Sequence, residues 1–120
     1  MIKIAIIDDD ESLIDSISLY LKKKKKIDII DKFIDSNYGY QNVISNSYDL
    51  ILLDINMPNM DGLEFLKKLK IEKPNQKVIM ITALSTEEKL IYCEQLGVSD
   101  YITKPFISLR DVENKILDSL

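Results

Sequence analysis

Acidic side chains directly follow two short apolar runs of the sequence. Asp8, Asp9 and Asp10 come after one run, and Asp54 comes after another. Three adjacent acids and a fourth from a neighbouring strand repel one another unless a cation offsets their charge. Mg²⁺ uses one or two carboxylates and keeps several waters open to a phosphate, which suits such a site better than a closed calcium cage. The sequence therefore predicts a magnesium site among these acids.

Two further polar side chains follow apolar runs later in the chain. Thr82 comes after the run 78–81, and Lys104 comes after the short run 101–103. A phosphoryl group arriving at the predicted site needs a nucleophile, a counter-charge and a hydrogen-bond donor. Asp54 can form an acyl phosphate, Lys104 can neutralise the phosphoryl oxygens, and Thr82 can donate from its hydroxyl. Each residue has an ordinary structural explanation alone, and their shared position at strand ends is what favours phosphoryl chemistry.

The elements that must position these residues alternate between strand and helix patterns. Nearly continuous apolar runs are typical of strands that are buried on both faces of a parallel sheet, and the intervening segments have helical periodicity. The predicted strands are 2–7, 27–33, 50–53, 78–81 and 101–103, and the predicted helices begin near 11, 38, 63, 86 and 108. This alternation predicts an α/β fold with a doubly wound, five-stranded parallel sheet, whose ligands gather beyond the carboxyl ends of the strands.

Three of the predicted helices begin with capping signals. Asp10 is a candidate N-cap for the helix that starts at Glu11. Ser85 with Glu88 three residues later is a capping-box pattern, and Ser108 offers a weaker start for the last helix. The second helix, about 38–47, has the weakest support because its glycine, asparagine and serine residues lower helix propensity.

The composition fits one domain over residues 1–120. A chain of 120 residues buries enough surface for a single core, and its 46% hydrophobic content is too high for a disordered tail. The sequence has no apolar run of the length that crosses a bilayer, and Met1 is not followed by a signal-peptide pattern. We therefore expect a cytoplasmic protein that does not associate with a membrane.

Residue usage narrows the chemistry further. The chain has one cysteine, Cys93, and no histidine, so an internal disulfide is excluded and the common zinc and acid–base sites lose their usual ligand. A formal charge of −4 argues against direct binding of nucleic acid. The one basic run, Lys22 to Lys26, is interpreted as a solvated helix end, where the helix dipole favours cations. Any site must be built from carboxylates.

Four segments, in order along the chain, resemble the successive motifs of response-regulator receiver domains. They are Ile6-Ile7-Asp8-Asp9, Asp54-Ile55-Asn56-Met57-Pro58-Asn59-Met60-Asp61-Gly62, Ile81-Thr82-Ala83 and Tyr101-Ile102-Thr103-Lys104-Pro105-Phe106. The D-x-x-M-P-x-M-D-G pattern is highly specific, and the match spans the whole chain. The resemblance implies the flavodoxin-like (βα)5 fold with strand order 2-1-3-4-5.

The resemblance also implies a function and a metal site. In such a domain a sensor histidine kinase or phosphotransfer protein phosphorylates Asp54, and the domain only assists its own phosphorylation and dephosphorylation. Magnesium would bind Asp9, Asp54 and the backbone carbonyl of Asn56, with Asp8 acting mostly through water. Asn56 and Leu84 would flank the path of the water that removes the phosphoryl group.

Further residues acquire roles by the same resemblance. Thr82, Ala83 and Lys104 would bind the phosphoryl group, and Thr82 with Tyr101 would form the switch pair. Turns would be set by Pro58, Gly62 and Pro105, the last after a cis peptide bond. The switch would remodel the surface of helix 4, strand 5 and helix 5, which would act on a downstream effector or a DNA-binding output domain, with a homodimer as a further possibility.

Two alternatives stay open from the sequence. Asp8, Asp10 and Ser12 resemble the D-x-D-x-[ST] opening of haloacid-dehalogenase-type phosphohydrolases, in which Asp8 would be the nucleophile and Asp10 the acid–base group. That family also needs a late acidic pair, which the segment 83–86 does not supply. The second alternative is a pseudo-receiver, an interaction module without phosphoryl chemistry. Nucleotide binding is disfavoured because no glycine-rich phosphate loop is present.

Overall fold

The computed structural model describes residues 1–83 and 86–120 of the chain. Strands and helices alternate strictly through the described part. The strands are β1 (Lys3–Ile7), β2 (Ile29–Phe33), β3 (Leu50–Asp54), β4 (Val78–Thr82) and β5 (Asp100–Thr103), and the helices are α1 (Glu11–Lys24), α2 (Ser36–Ser45), α3 (Gly62–Glu72), α4 (Glu87–Gln95) and α5 (Leu109–Ser119). All strand pairs are parallel, and the order is β2-β1-β3-β4-β5. The predicted fold class and strand order are confirmed.

The sheet is covered on both faces, as continuous apolar strands require. Alternate side chains of each strand point to opposite faces. One face, with Ala5 and Ile7, packs against apolar residues of α2, α3 and α4, and the other face, with Ile4 and Ile6, packs against α1 and α5. None of the described helices has the length and apolar character that crossing a bilayer requires.

Two of the predicted helix caps are confirmed. The Asp10 side chain accepts a hydrogen bond from the Leu13 amide at 3.1 Å and starts α1. The Ser108 hydroxyl accepts from the Asp111 amide at 3.1 Å and starts α5. Each side chain satisfies one of the amides that a helix N-terminus leaves unpaired.

The cap of α4 is not the predicted one. Thr86 holds that position and accepts a hydrogen bond from the Lys89 amide at 3.2 Å, one residue later than the predicted Ser85. Ser85 lies outside the described residues. A threonine hydroxyl can accept the same hydrogen bond as a serine hydroxyl. The sequence alone therefore does not decide which of the two adjacent residues is the N-cap.

Helix α2 begins two residues earlier than predicted. Its N-cap is Asp35, and its first residue, Ser36, is already buried. Gly39 lies against the sheet, because a Cβ there would be 3.2 Å from the Cβ of Phe33 and 3.3 Å from a methyl carbon of Ile7. The glycine that lowers helix propensity therefore allows close packing, which is a tertiary effect that local propensity cannot include.

The basic run forms the end of α1, as interpreted from the sequence. Lys22, Lys23 and Lys24 occupy the last turn, and Lys25 adopts a left-handed conformation with φ of 56°. The Lys25 amide donates to the Lys22 carbonyl at 3.2 Å, and all five lysines are exposed. The run is a solvated helix C-terminus, where cations are favoured by the helix dipole.

Candidate functional site

The predicted site residues gather at the carboxyl edge of the sheet. Asp54 and Thr82 are the last residues of β3 and β4, Asp8 follows β1 directly, and Lys104 follows β5 directly. The four strands are parallel and in register, so their ends bring these side chains to one edge. Strands β3 and β4 each extend one residue beyond the predicted apolar run, because a polar residue can still complete the ladder of backbone hydrogen bonds.

Three carboxylates lie together at this edge. Carboxylate oxygens of Asp8, Asp9 and Asp54 lie within 4.8 Å of one another. Asp8 and Asp54 are buried, whereas Asp9 is exposed and opens the cluster to solvent. Asp10, the next residue, is not part of the cluster and instead caps α1. The structure thus separates three acids that face one another from a fourth that has a local structural role.

Lys104 is the cation of this cluster. Its Nζ lies 2.8 Å from Asp8 Oδ2 and 3.6 Å from Asp54 Oδ2, and its side chain is mostly buried. Three ionised carboxylates and one ammonium leave a net charge of about −2, since like charges this close are only partly offset by one partner. A divalent cation matches that excess, and carboxylate oxygens are the ligands that Mg²⁺ prefers. The donor set therefore fits the predicted metal.

The backbone after β3 adds a further contact to the cluster. The Asn56 amide donates a hydrogen bond to Asp54 Oδ1 at 3.2 Å. Asp8 Oδ1 accepts from the Asp10 amide at 2.9 Å, while Asp8 Oδ2 is ion-paired with Lys104 but has no well-directed hydrogen bond from residues 1–83 or 86–120. Asp54 and Asp8 are therefore each oriented by one amide and retain an oxygen for other partners.

Burial changes the titration of Asp54. Burial of its carboxyl, together with the negative charge of Asp8, raises the pKa of Asp54 to about 6. The Lys104 ammonium and the hydrogen bond from the Asn56 amide lower this pKa and so limit the rise. Burial alone would lower the pKa of Lys104, but its contacts with Asp8 and Asp54 outweigh burial and raise it. At neutral pH the site therefore holds an ionised carboxylate next to a charged lysine.

Thr82 places an unsatisfied hydroxyl at the end of β4, the strand next to β3, which ends at Asp54. The residue is buried, and its Oγ1 has no hydrogen-bond partner in the part of the chain that the structure describes. Its backbone carbonyl accepts from the Lys104 amide at 2.7 Å, which ties the ends of β4 and β5 together. Ala83, the next residue, is exposed. Burial of a hydroxyl without a hydrogen-bond partner costs free energy. An anionic oxygen bound here would accept a hydrogen bond from this hydroxyl and remove that cost.

Tyr101 lies on β5, two residues before the partner of Thr82 in the ladder. It is partly buried and packs against the core on the α4 side of the sheet. Lys115 of α5 donates to the Tyr101 carbonyl at 3.0 Å, and its Nζ lies 5.8 Å from the ring centroid. Among the described residues, the Tyr101 hydroxyl makes no hydrogen bond to Thr82. Tyr101 and Thr82 therefore lie on adjacent strands, and their hydroxyl groups are not hydrogen-bonded to each other.

The predicted turn residues shape the loops around the site. The peptide bond between Lys104 and Pro105 is cis, as the resemblance implies. The Gly62 amide donates to the Ile55 carbonyl at 2.7 Å, and a Cβ at Gly62 would lie 2.1 Å from the Asp54 carbonyl oxygen. Only glycine fits this approach. Pro58 is exposed in the loop that Gly62 closes, and Leu84 lies outside the described residues.

Comparisons with known proteins agree with this geometry. The family model of the response regulator receiver domain matches residues 4–116. The response regulator ArlR of Staphylococcus saprophyticus is 36% identical over 106 residues, which cover 88% of this chain and 47% of that protein. The transcriptional regulatory protein FlgR of Helicobacter pylori is 38% identical over 104 residues, covering 87% of this chain and 26% of that protein. The chain spans about half or less of the length of these relatives.

Solved structures give the same result. A CheY-like receiver domain protein from Methanospirillum hungatei superposes with a TM-score of 0.90 at 29% identity, covering 98% of this chain and 92% of that one. The receiver domain of the Francisella response regulator 1452 superposes with a TM-score of 0.87 at 30% identity, covering 98% and 95%. The phosphohydrolase alternative is not favoured. On its sequence, its fold and the acids at its sheet edge, the chain belongs to the response-regulator receiver domain family.

Proposed function

We propose that this receiver domain takes up a phosphoryl group on Asp54 and uses it to change one of its surfaces. The observation that carries the proposal is the pairing of a buried carboxylate with a lysine 3.6 Å away, in a cluster with two further acids. A nucleophile and its counter-charge stand at the solvent-facing end of the sheet, and Asp9 keeps the cluster accessible. We also propose that residues 1–120 act as a single domain.

The chemistry needs an ionised carboxylate. An Asp54 oxygen attacks the phosphorus of a phosphohistidine donor, the new O–P bond forms as the P–N bond breaks, and the electron pair leaves with the imidazole. Lys104 neutralises charge on the phosphoryl oxygens, and the Thr82 hydroxyl and the Ala83 amide donate hydrogen bonds to them. The 120 residues contain no histidine, so the phosphohistidine lies outside them, and a sensor histidine kinase or a phosphotransfer protein is the partner that fits.

The residues that would hold magnesium are Asp8, Asp9, Asp54 and the backbone carbonyl of Asn56. The bound ion would supply positive charge that offsets both the acids and the phosphoryl oxygens. The net charge of about −2 in the cluster supports this assignment, because removal of that repulsion favours binding of a divalent ion. Among the described residues, Lys104 forms ion pairs with Asp8 and Asp54, and Asp9 has no ion pair.

The response to the phosphoryl group would run from Thr82 to Tyr101. The Thr82 hydroxyl turns toward the added charge, and the space that it leaves lets the Tyr101 ring move inward. The surface formed by α4, β5 and α5 then changes. Helix α4 already exposes Ile91 and Tyr92 while Cys93 is buried, which offers apolar area for a partner.

The α4–β5–α5 surface is the proposed contact for partners. A downstream effector, a DNA-binding output domain or a second copy of the domain would fit the α4–β5–α5 surface, and no direct contact with nucleic acid or a membrane is proposed. A cytoplasmic location fits a domain whose one cysteine, Cys93, is buried and cannot form an internal disulfide. The domain promotes only its own phosphorylation and dephosphorylation.

The site of phosphorylation can be tested chemically. The purified domain is incubated with Mg²⁺ and a small phosphodonor such as acetyl phosphate or phosphoramidate, and the aspartyl phosphate is trapped by borohydride reduction before peptide mapping. We expect one phosphoryl group per chain and the reduced product at residue 54. Reduction at Asp8 instead would support the phosphohydrolase alternative, and absence of any uptake would support the pseudo-receiver alternative.

The coupling of Thr82 to Tyr101 predicts a second result. Beryllofluoride with Mg²⁺ should shift amide NMR signals across residues 90–102 in wild type, and these shifts should be much weaker in Thr82→Ala, because the hydroxyl that senses the charge is gone. Thr103→Ala is the matched control, since Thr103 is the ladder partner of Thr82 on β5 but is exposed. Shifts confined to the surroundings of Asp54 in wild type would contradict the coupling.

A further inference from the structure

Ser36 connects α2 to the loop that follows the proposed phosphoacceptor. It is the first residue of α2, yet it is 2% exposed. Its hydroxyl donates to the Pro58 carbonyl at 3.1 Å and accepts from the Met60 amide at 3.2 Å. The two bonds fall on either side of Asn59, which adopts a left-handed conformation with φ of 72°. One side chain thus uses both its donor and its acceptor to hold the tip of this loop.

The neighbouring residue adds a third bond to the same loop tip. Asp35 Oδ1 accepts from the Asn59 side-chain amide at 3.3 Å. The other oxygen of Asp35 accepts from the Tyr38 amide at 2.8 Å and caps α2. The helix start and the loop tip are therefore fixed by the same two residues. We name this set, Asp35 and Ser36 with residues 58–60, the loop clamp.

The loop clamp completes the attachment of the segment 56–61. At the base of the segment, the Gly62 amide donates to the Ile55 carbonyl at 2.7 Å, and Gly62 lies against the Asp54 backbone without room for a Cβ. The base is thus held by backbone contacts, and the buried side chains of Met57 and Met60 pack in the core. The tip has a left-handed non-glycine residue, Asn59, which is a conformation that needs support from its surroundings. Hydrogen bonds with Asp35 and Ser36, at the start of α2, contribute that support.

The segment 56–61 contains a residue that contacts the proposed phosphoacceptor, and this connects the loop clamp to the function. Its first residue, Asn56, donates an amide hydrogen bond to Asp54 Oδ1, and its carbonyl is the proposed backbone ligand of the magnesium ion. A main-chain ligand cannot be adjusted by side-chain rotation, so its position depends on how the loop is anchored. Residues that hold a metal ligand in position commonly affect the metal affinity, although they do not bind the metal themselves.

We propose that Ser36 is a positioning residue for the phosphoacceptor site. By holding residues 58–60, its hydroxyl fixes the backbone at Asn56 relative to Asp54, and it thereby sets the affinity of the site for a divalent cation. The inference rests on the proposed function only for the identity of the ion's ligands. The clamp itself joins β2–α2 to β3–α3 and has no motif in the sequence.

The test compares Ser36→Ala with Val43→Ala. Val43 is a fully buried residue of the same helix whose side chain takes part in none of the hydrogen bonds of the clamp, so its truncation lowers stability and leaves those bonds in place. The dissociation constant of Mg²⁺ is measured by amide NMR titration, without a phosphodonor, in both variants and in wild type. Unfolding midpoints are measured in parallel.

We expect Ser36→Ala to weaken Mg²⁺ binding by about tenfold and to shift the amide signals of Asn56 and Met60 in the metal-free protein. Val43→Ala should lower the unfolding midpoint at least as much and bind Mg²⁺ as wild type does. Phosphoryl uptake in Ser36→Ala should then recover when the Mg²⁺ concentration is raised, since Asp54 and Lys104 are untouched.

Two results would overturn the inference: unchanged Mg²⁺ affinity in Ser36→Ala, or an equal loss in Val43→Ala. Failure of the proposed function is a separate outcome. If wild type binds Mg²⁺ but takes up no phosphoryl group at Asp54, the function is wrong, while the effect of Ser36 on metal affinity can still be read. If wild type is phosphorylated and Ser36→Ala binds Mg²⁺ normally, only the clamp is wrong.

Discussion

Replacing Asp9 by alanine should abolish the response of the domain to Mg²⁺ and slow phosphoryl uptake at Asp54 by about 100-fold or more. Asp9 is the exposed member of the carboxylate cluster, so it is the proposed ligand that an entering ion can reach first. Its removal leaves Asp8 and Asp54 paired with Lys104 and takes away most of the excess negative charge that favours a divalent ion. The measurements are amide NMR titration with Mg²⁺ and the rate of uptake from a small phosphodonor.

Asp10→Ala is the matched control for this result. Asp10 is the next residue, has the same charge and is equally exposed, but its carboxylate caps α1 instead of joining the cluster. The change should therefore cost about 1 kcal/mol of stability and leave the Mg²⁺ affinity nearly unchanged. If both variants lost Mg²⁺ binding equally, the effect would come from general surface charge, and Asp9 would not be a ligand.

Replacing Asp54 by asparagine should remove phosphoryl uptake and, in the absence of metal, stabilise the protein at neutral pH. The buried carboxyl has its pKa raised from an ordinary value of 3.8 to about 6, which corresponds to a cost of up to about 3 kcal/mol for the ionised form. Asparagine keeps the shape without the charge. We expect a gain of about 1–3 kcal/mol in the free energy of unfolding, measured by chemical denaturation at pH 7 in EDTA.

The pH dependence checks the cause of this gain. A pKa that is raised on folding contributes stability that is fully present below the unfolded value, 3.8, and is lost as the pH rises through about 6. The advantage of Asp54→Asn should therefore be largest above pH 6 and vanish towards pH 4. Saturating Mg²⁺ should reduce the difference in the free energy of unfolding between Asp54→Asn and wild type at pH 7, because the ion stabilises wild type by binding its folded state. If Asp54→Asn were less stable than wild type at pH 7 in EDTA, the raised pKa of Asp54 would be contradicted.

The sequence by itself determined the fold class and which polar residues meet at one edge of the sheet. Three nearly continuous apolar runs, two further strand patterns and the helical periodicity between them predict a parallel sheet with helices on both faces, because few other arrangements satisfy such runs. Polar residues at the ends of those runs, among them Asp8, Asp54, Thr82 and Lys104, must then meet at one sheet edge. Local order in the chain was enough for this, since strand direction alone sets which edge each residue reaches.

The tertiary structure decided what depends on contacts between distant segments. The raised pKa of Asp54 follows from its burial and from Asp8, both of which require the folded sheet. In the sequence, Gly39 only lowers helix propensity. In the fold it allows α2 to pack closely against Phe33 and Ile7. Ser36 has no motif that marks it, because its role comes from a loop more than twenty residues away. A periodic pattern reports which face of an element is buried, whereas hydrogen bonds and electrostatic effects depend on distances that only the assembled fold defines.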